Sequence, residues 1–188
     1  MVGARLPSFT PAQQALLIGS VDLIGINHYS THLLRHLTPG ERGDISSGWA
    51  EDQHVAISFS DDWPRAASDW QRSYPLGIRQ LLNWVAGKYR GDIFVTENGW
   101  SCNSFTAEDA MLDQQQLDYY ANYTEQVRLA LVEDGVAVRG YFGWSIVDNF
   151  EWADGYSKRF GLFFVDYTTQ QRTPKKAARW WRETRSVC

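Results

Sequence analysis

Apolar positions along the chain change their spacing several times, and each change marks an element. The stretch AQQALLI reads as a short helix: Thr10 is a good N-cap, Pro11 suits the first helical position, and Gln13 completes a capping box. It is expected to stop at Gly19. In VDLIGINHYS the apolar residues Val21, Leu23, Ile24 and Ile26 are almost continuous, as in a strand buried on both faces of a parallel sheet. Residues 31–73 carry no period and read as one long irregular segment. Order returns at Pro75, which opens the helix LGIRQLLNWVAGKYR; Leu81, Val85 and Tyr89 form its apolar face with Trp84 beside them, and Gly91 closes it.

The strand DIFVTE follows, then one longer helix from Leu112 to Gly135, with Leu117, Tyr120, Ala121, Val127 and Leu131 on one side. VAVRGYFGWSIV is a third strand. A glycine- and aromatic-rich segment over 149–167 leads to a last helix, with Thr173 as cap and Pro174 at its first position. Helices alternating with three apolar strands predict an α/β fold built from parallel crossover units.

Composition narrows the function classes. A chain of 188 residues, 44% hydrophobic and 21% charged, has the balance of one globular domain. Its formal net charge is −4 and it holds no large basic cluster, so nucleic acid and anionic membranes are not expected partners. No apolar run is long enough to span a bilayer. Two cysteines, Cys102 and Cys188, make no disulfide framework, and both are expected free. The N-terminal residues hold no signal-peptide core, so the cytoplasm is expected if the chain is complete; the compartment is otherwise open. His28, His32 and His36 lie four apart, but His28 belongs to a strand pattern, so no metal site is expected, and no cofactor. The sequon at Asn122 falls inside a predicted helix and is read as an unmodified surface amide.

The outlier is tryptophan, at nine residues, which with nine Tyr and nine Phe brings aromatics to 14%. Flat apolar faces of this kind either fill a core or stack on a ligand. In parallel α/β folds, chemistry gathers beyond the C-terminal ends of the strands. All three strands deliver polar or aromatic groups there: Asn27, His28 and Tyr29 from the first; Glu97 and Asn98 from the second; Trp144 and Ser145, running on to Asp148, Asn149, Glu151 and Trp152, from the third. A carboxylate at the end of an apolar strand suits a nucleophile, which must be rigid and ionised. Retaining glycosidases use such a group with a second carboxyl about 5–5.5 Å away. Tyr29 could donate to it. The same position also fits an acid that caps a strand or pairs with arginine.

TENGWS, IGINHYS, RLPSFTPAQ, YPLGIRQLLNW and GYFGWSIVDNFEWADGYSKRFGLFFVDY together resemble motifs of glycoside hydrolase family 1, the β-glucosidases and their relatives, from Arg5 to Glu183. The resemblance implies that residues 1–188 are the C-terminal part of a (β/α)8 TIM barrel, with about three parallel strands and flanking helices. It implies that Glu97 is the catalytic nucleophile and that Tyr29 hydrogen-bonds it. Asn27, Trp144, Glu151, Trp152 and Phe160 would bind the sugar, and Trp70 would wall the aglycone side. Trp144 can meet the apolar face of a pyranose, and an ionised Glu151 can accept strong bonds from its hydroxyls. The other reading of Glu151 is a salt bridge with Lys158 or Arg159; that of Trp152 is core packing.

The family's acid/base glutamate lies in an Asn-Glu-Pro motif on an earlier strand, and that motif does not occur among these residues. Asp148 and Asp154 have no spacing argument to replace it. Three functional expectations follow: a β-glucosidase-like retaining enzyme acting on β-D-glucosides and holding the nucleophile alone; a degenerate copy that binds sugar weakly or not at all; or one half of an enzyme whose other half is a chain carrying the earlier strands. A three-stranded parallel piece would leave two open sheet edges, which favours aggregation or a partner.

Overall fold

The computed structural model describes residues 6–38, 40–41 and 52–185, which fall into two compact units. Cys188 lies outside the described residues. The first unit takes Met1–Asp22 and His32–Asp62. It holds helix α1 (Pro11–Leu17), opened by the reciprocal Thr10–Gln13 capping box that the sequence predicts, with Gly19 at φ 78° just past its end. It also holds an antiparallel pair, β2 (Leu33–His36) with β3 (Val55–Ser58). That pair corrects the expectation of an irregular 31–73. Its strands are four residues each and mostly exposed, too short for a period to stand out.

The second unit takes Leu23–Thr31 and Trp63–Cys188. At its centre is a three-stranded parallel sheet in the order β1 (Leu23–Asn27), β4 (Asp92–Asn98), β5 (Val138–Gly143). Helices α2 (Leu76–Lys88) and α4 (Gln114–Val132) pack together, and a core of Ile78, Leu82, Val85, Tyr119, Tyr123 and Val127 joins them to Ile93 and Val95 of the sheet. This is a segment of a (β/α) barrel, not a closed one. Among the described residues β1 and β5 pair in the sheet with β4 alone, and Leu23 and Phe142 at these outer strands are exposed.

Several elements differ from expectation. The first and third strands are shorter than their apolar runs: Val21 is exposed, and β5 ends at Gly143, before a cis peptide between Trp144 and Ser145. The expected helix from Leu112 begins at Gln114 as α4, and the stretch before it, which reads as a polar loop, holds a short helix α3 (Ala107–Leu112). Asp113 ends α3 and caps α4, its carboxylate accepting from the Gln116 amide. The buried face of α2 is Ile78, Leu82 and Val85, whereas Trp84 and Tyr89 are exposed. On α4 the buried face carries Gln116, Tyr119 and Tyr123, while Leu131 is exposed. Polar tips could go inside because each finds a partner: the Gln116 amide donates to the carbonyls of Trp100, Phe160 and Gly161. Thr173 and Pro174 do not start the last helix. They belong to β7 (Arg172–Pro174), paired with β6 (Phe163–Val165), and helix α5 (Lys176–Arg185) begins two residues on. Cys102 is a free, buried thiol, as expected. Asn122 is exposed in mid-α4, and the Thr124 hydroxyl of its sequon donates to the Tyr120 carbonyl.

At the far end of α4, Asp134 accepts two bonds from Arg79 of α2, each 2.7 Å, and one from Asn83. These bonds hold its carboxyl at about 2, below the ordinary 3.8. A depressed folded pKa gives stability that is present above 3.8 and lost as the pH falls toward about 2. Asp134→Asn is therefore expected to lower the urea midpoint at neutral pH, with the deficit closing over that acid window. A deficit that stays constant with pH would refute the linkage.

Candidate active site

The C-terminal end of β4 explains how an acid at the end of an apolar strand escapes the core. Ile93 and Val95 face the helices and are buried. Strict alternation would put residue 97 on that same face. Instead the register slips on both sides. Ile26 pairs with Val95 but Asn27 pairs with Glu97; Val95 pairs with Tyr141 but Asn98 pairs with Gly143. One extra residue on β4 reverses the alternation, as a bulge does. Asn98 takes the buried place and Glu97 turns out, half-buried. Gly99 then follows for lack of room: a Cβ there would sit 1.9 Å from the Trp144 carbonyl oxygen.

Glu97 opens onto a hollow of about 680 Å³. Every residue to which the family resemblance gives a role lines it: Asn27 at the end of β1 and Tyr29 just beyond, Trp70, Trp144 after β5, and Glu151, Trp152 and Phe160 from the loop beyond, whereas the other strand-end groups His28, Asn98, Ser145 and Asp148 are buried outside its lining. Asn149, Phe150 and Asp154 join them. The Tyr29 hydroxyl donates to Glu97 Oε2 at 2.7 Å. Burial pushes the Tyr29 hydroxyl far above its usual range, reinforced by that hydrogen bond and by the negative charge of Glu97 and Glu151. It therefore stays a donor throughout the working pH range.

The aromatic walls are fixed against one another. Tyr29 stands edge-on to Trp70 and to Phe160, at ring separations of 5.9 and 6.0 Å, while Trp70 and Phe160 are nearly parallel. Trp144 is held by its backbone: its amide donates to the Asn98 carbonyl, and its own carbonyl accepts from the Tyr120 hydroxyl at 2.9 Å. Asn27 Oδ1 accepts from the Thr96 hydroxyl. Trp152 lines the hollow but is 81% exposed, so it is not a core residue.

Glu151 is half-buried, and burial raises its pKa above the ordinary carboxylate value. Repulsion from Asp154 and Glu97 adds to the rise, and a hydrogen bond from the Trp144 side chain opposes it. The cations once considered as its partners bond elsewhere: Lys158 donates to the Ala67 carbonyl, and Arg159 pairs with Asp148. Two residues that hold the walls in place have no role in the sequence reading. Buried Gln71 donates to the Gly99 carbonyl and accepts from the Ser101 amide, tying the turn that bears Trp70 to the segment after Glu97. Buried Asp148 anchors the loop that bears Glu151. Their partners lie 11 to 30 residues away, so no local spacing announces them. Among the described residues no group of three His, Cys, Asp or Glu side chains is placed to hold a metal ion.

The fold and the hollow define a barrel segment whose strand ends meet at an aromatic-walled hollow lined by Glu97, Glu151 and Asp154. The chain belongs to glycosyl hydrolase family 1, whose sequence profile matches residues 2–187. It is 42% identical to beta-glucosidase 1B of Phanerodontia chrysosporium over 95% of this chain and 33% of that protein. It is 40% identical to beta-glucosidase 6 of Oryza sativa subsp. japonica over 96% of this chain and 36% of that one. Among solved structures, a mutant rice β-glucosidase in a covalent complex with Glc superposes with TM-score 0.89 at 37% identity, covering 96% of this chain and 40% of its own. A β-glucosidase from the fungus Humicola insolens in complex with glucose gives TM-score 0.87 at 37% identity, covering 99% of this chain and 40% of its own. The chain thus spans about a third to two fifths of the length of the relatives it matches.

Proposed function

We propose that residues 1–188 are the C-terminal part of a family 1 barrel and supply the nucleophile half of a retaining β-glycosidase acting on β-D-glucosides. Glu97 attacks the anomeric carbon. Tyr29 holds its carboxylate aimed through the hydrogen bond from its hydroxyl. Trp144 lies under the sugar, and Glu151, Trp152, Asn27 and Phe160 take its hydroxyls and edges. Trp70 walls the leaving-group side. The observation that carries this reading is the 2.7 Å bond from Tyr29 to Glu97 at the edge of an aromatic-walled hollow. The covalent Glc complex of the rice relative supports the same chemistry. A carboxyl acid for the leaving oxygen would come from earlier strands of the barrel, in the same or a complementary chain. The singly paired β1 and β5, with exposed Leu23 and Phe142, favour such a complement.

A dinitrophenyl β-glucoside bearing fluorine in place of the hydroxyl beside the anomeric carbon tests this reading, because its leaving group needs no acid. The bond from C1 to the leaving oxygen breaks, dinitrophenolate departs with the electron pair, and an ester forms between C1 and a Glu97 oxygen. Mass spectrometry is expected to find one fluoroglucosyl unit on the peptide containing Glu97. A folded chain that takes up no label, or takes it elsewhere, would favour the degenerate copy.

A further inference from the structure

Asn98, next to Glu97, is fully buried, and its side-chain partners come from three other elements of the second unit. Its amide donates to the His28 carbonyl at 2.6 Å and to the Tyr119 hydroxyl at 2.8 Å, and its oxygen accepts from the Tyr141 hydroxyl. Tyr119 passes its own hydroxyl proton to the main-chain carbonyl of Tyr29 at 2.9 Å. Tyr29, through its ring, reaches back to Glu97. The bonds close a circuit: from Glu97 along the chain to Asn98, across to Tyr119 on α4, to the backbone of Tyr29, and through the phenol to the Glu97 carboxylate.

We propose that Tyr119 and Asn98 are positioning residues for the Tyr29–Glu97 pair, so that helix α4, outside the hollow, sets the aim of the acid inside it. The catalytic consequence rests on the reading of Glu97 as nucleophile; the positioning itself does not. Glu97 lies near the end of β4 and Tyr29 two residues beyond β1, and the register between those strands slips just before, between Ile26 and Asn27. Past the slip a backbone bond from the His28 amide to the Glu97 carbonyl at 2.9 Å ties the two segments, but it fixes neither side chain. The Asn98–Tyr119 bridge adds a second tie at that point, and it does so with each donor of the Asn98 amide used. Tyr119→Phe keeps the ring, which stacks on Tyr123 at 4.0 Å, and removes the hydroxyl that makes the link together with its bond to Tyr123.

The test is an NMR measurement of hydroxyl-proton exchange at Tyr29 in isotope-labelled protein. Tyr119→Phe is expected to speed that exchange about fivefold to tenfold, the scale of one lost buried hydrogen bond. Val127→Ala, a buried position on the same helix, should lower the melting temperature while leaving the exchange unchanged. Where Tyr119→Phe is too unstable to measure, Tyr141→Phe reads the circuit one bond further out and should also speed it. With the fluorinated glucoside, Tyr119→Phe should cut the maximal labelling rate about tenfold with the half-saturating concentration unchanged. Tyr29 exchange that is unaltered in the Phe variants, or equally altered in Val127→Ala, overturns the proposal. A wild-type chain that takes no label counts against the nucleophile alone, because the exchange reads the bond without any reaction.

Discussion

Glu97→Gln is expected to lower this chain's hydrolysis of an unfluorinated dinitrophenyl β-D-glucoside by at least about 10³-fold, while the variant keeps its fold and its affinity for glucose. The substitution changes charge at constant shape. An amide fills the same space, and its oxygen can accept the Tyr29 hydroxyl as the carboxylate does at 2.7 Å. What it lacks is a negative oxygen able to bond to the anomeric carbon. Trp144, Phe160 and Glu151 are untouched, so sugar binding should survive. The wild-type chain carries a second signature. On the proposed reading, in which the acid belongs to earlier strands, its rate should drop about 10²–10⁴-fold from dinitrophenyl to unsubstituted phenyl glucoside, the range of a missing general acid. Turnover measured on both substrates, for both proteins, decides the point. Dinitrophenyl hydrolysis that persists in Glu97→Gln would remove the nucleophile assignment. A flat dependence on leaving group would mean that an acid is already present in this chain.

How much of this was legible in the sequence follows from the range of the interactions involved. The parallel sheet was readable because near-continuous apolar runs such as Ile93 to Val95 betray strands covered on both faces. The residues of the hollow were readable because they fall at strand ends and within long family motifs. The two-turn helix α3 was missed because the residues before Leu112 read as a polar loop, and only the Thr106 hydroxyl accepting from the Asp109 amide marks its start. The faces of α2 and α4 were legible in part: Val85, Tyr120 and Val127 are buried as expected, but hydrophobic spacing also counts Tyr89 and Leu131 as inward, while Gln116 and Tyr119 bury once their polar tips are satisfied. The bulge at Glu97 left no mark in the sequence. It exists only in the pairing of β4 with both neighbours, and it decides that the acid faces the hollow and the amide the core. Capping at Thr173 failed for a similar reason: a local Thr-Pro signal lost to pairing with Phe163 to Val165.

Asp148→Ala is expected to destabilise the chain by about 3–5 kcal/mol, the cost of orphaning buried opposite charges. Asp148 and Lys175 have fully buried side chains, and Arg159 is nearly so. One carboxylate oxygen accepts from Lys175 Nζ at 3.1 Å and the Gly161 amide at 2.9 Å; the other accepts from Arg159 at 2.8 Å and the Val165 amide at 3.2 Å. Alanine would leave two cations and two amides facing a void. Lys175→Met should cost far less, because Asp148 keeps Arg159 and both backbone donors. The asymmetry distinguishes loss of the common anion from loss of any one packed side chain. It also bears on the site, since the segment from Asp148 to Gly161 carries Glu151 and Phe160 to the hollow. Urea unfolding of the two variants, with glucose affinity measured on the folded fraction, tests both consequences. Equal losses in the two variants would mean that packing, not the shared carboxylate, holds the loop.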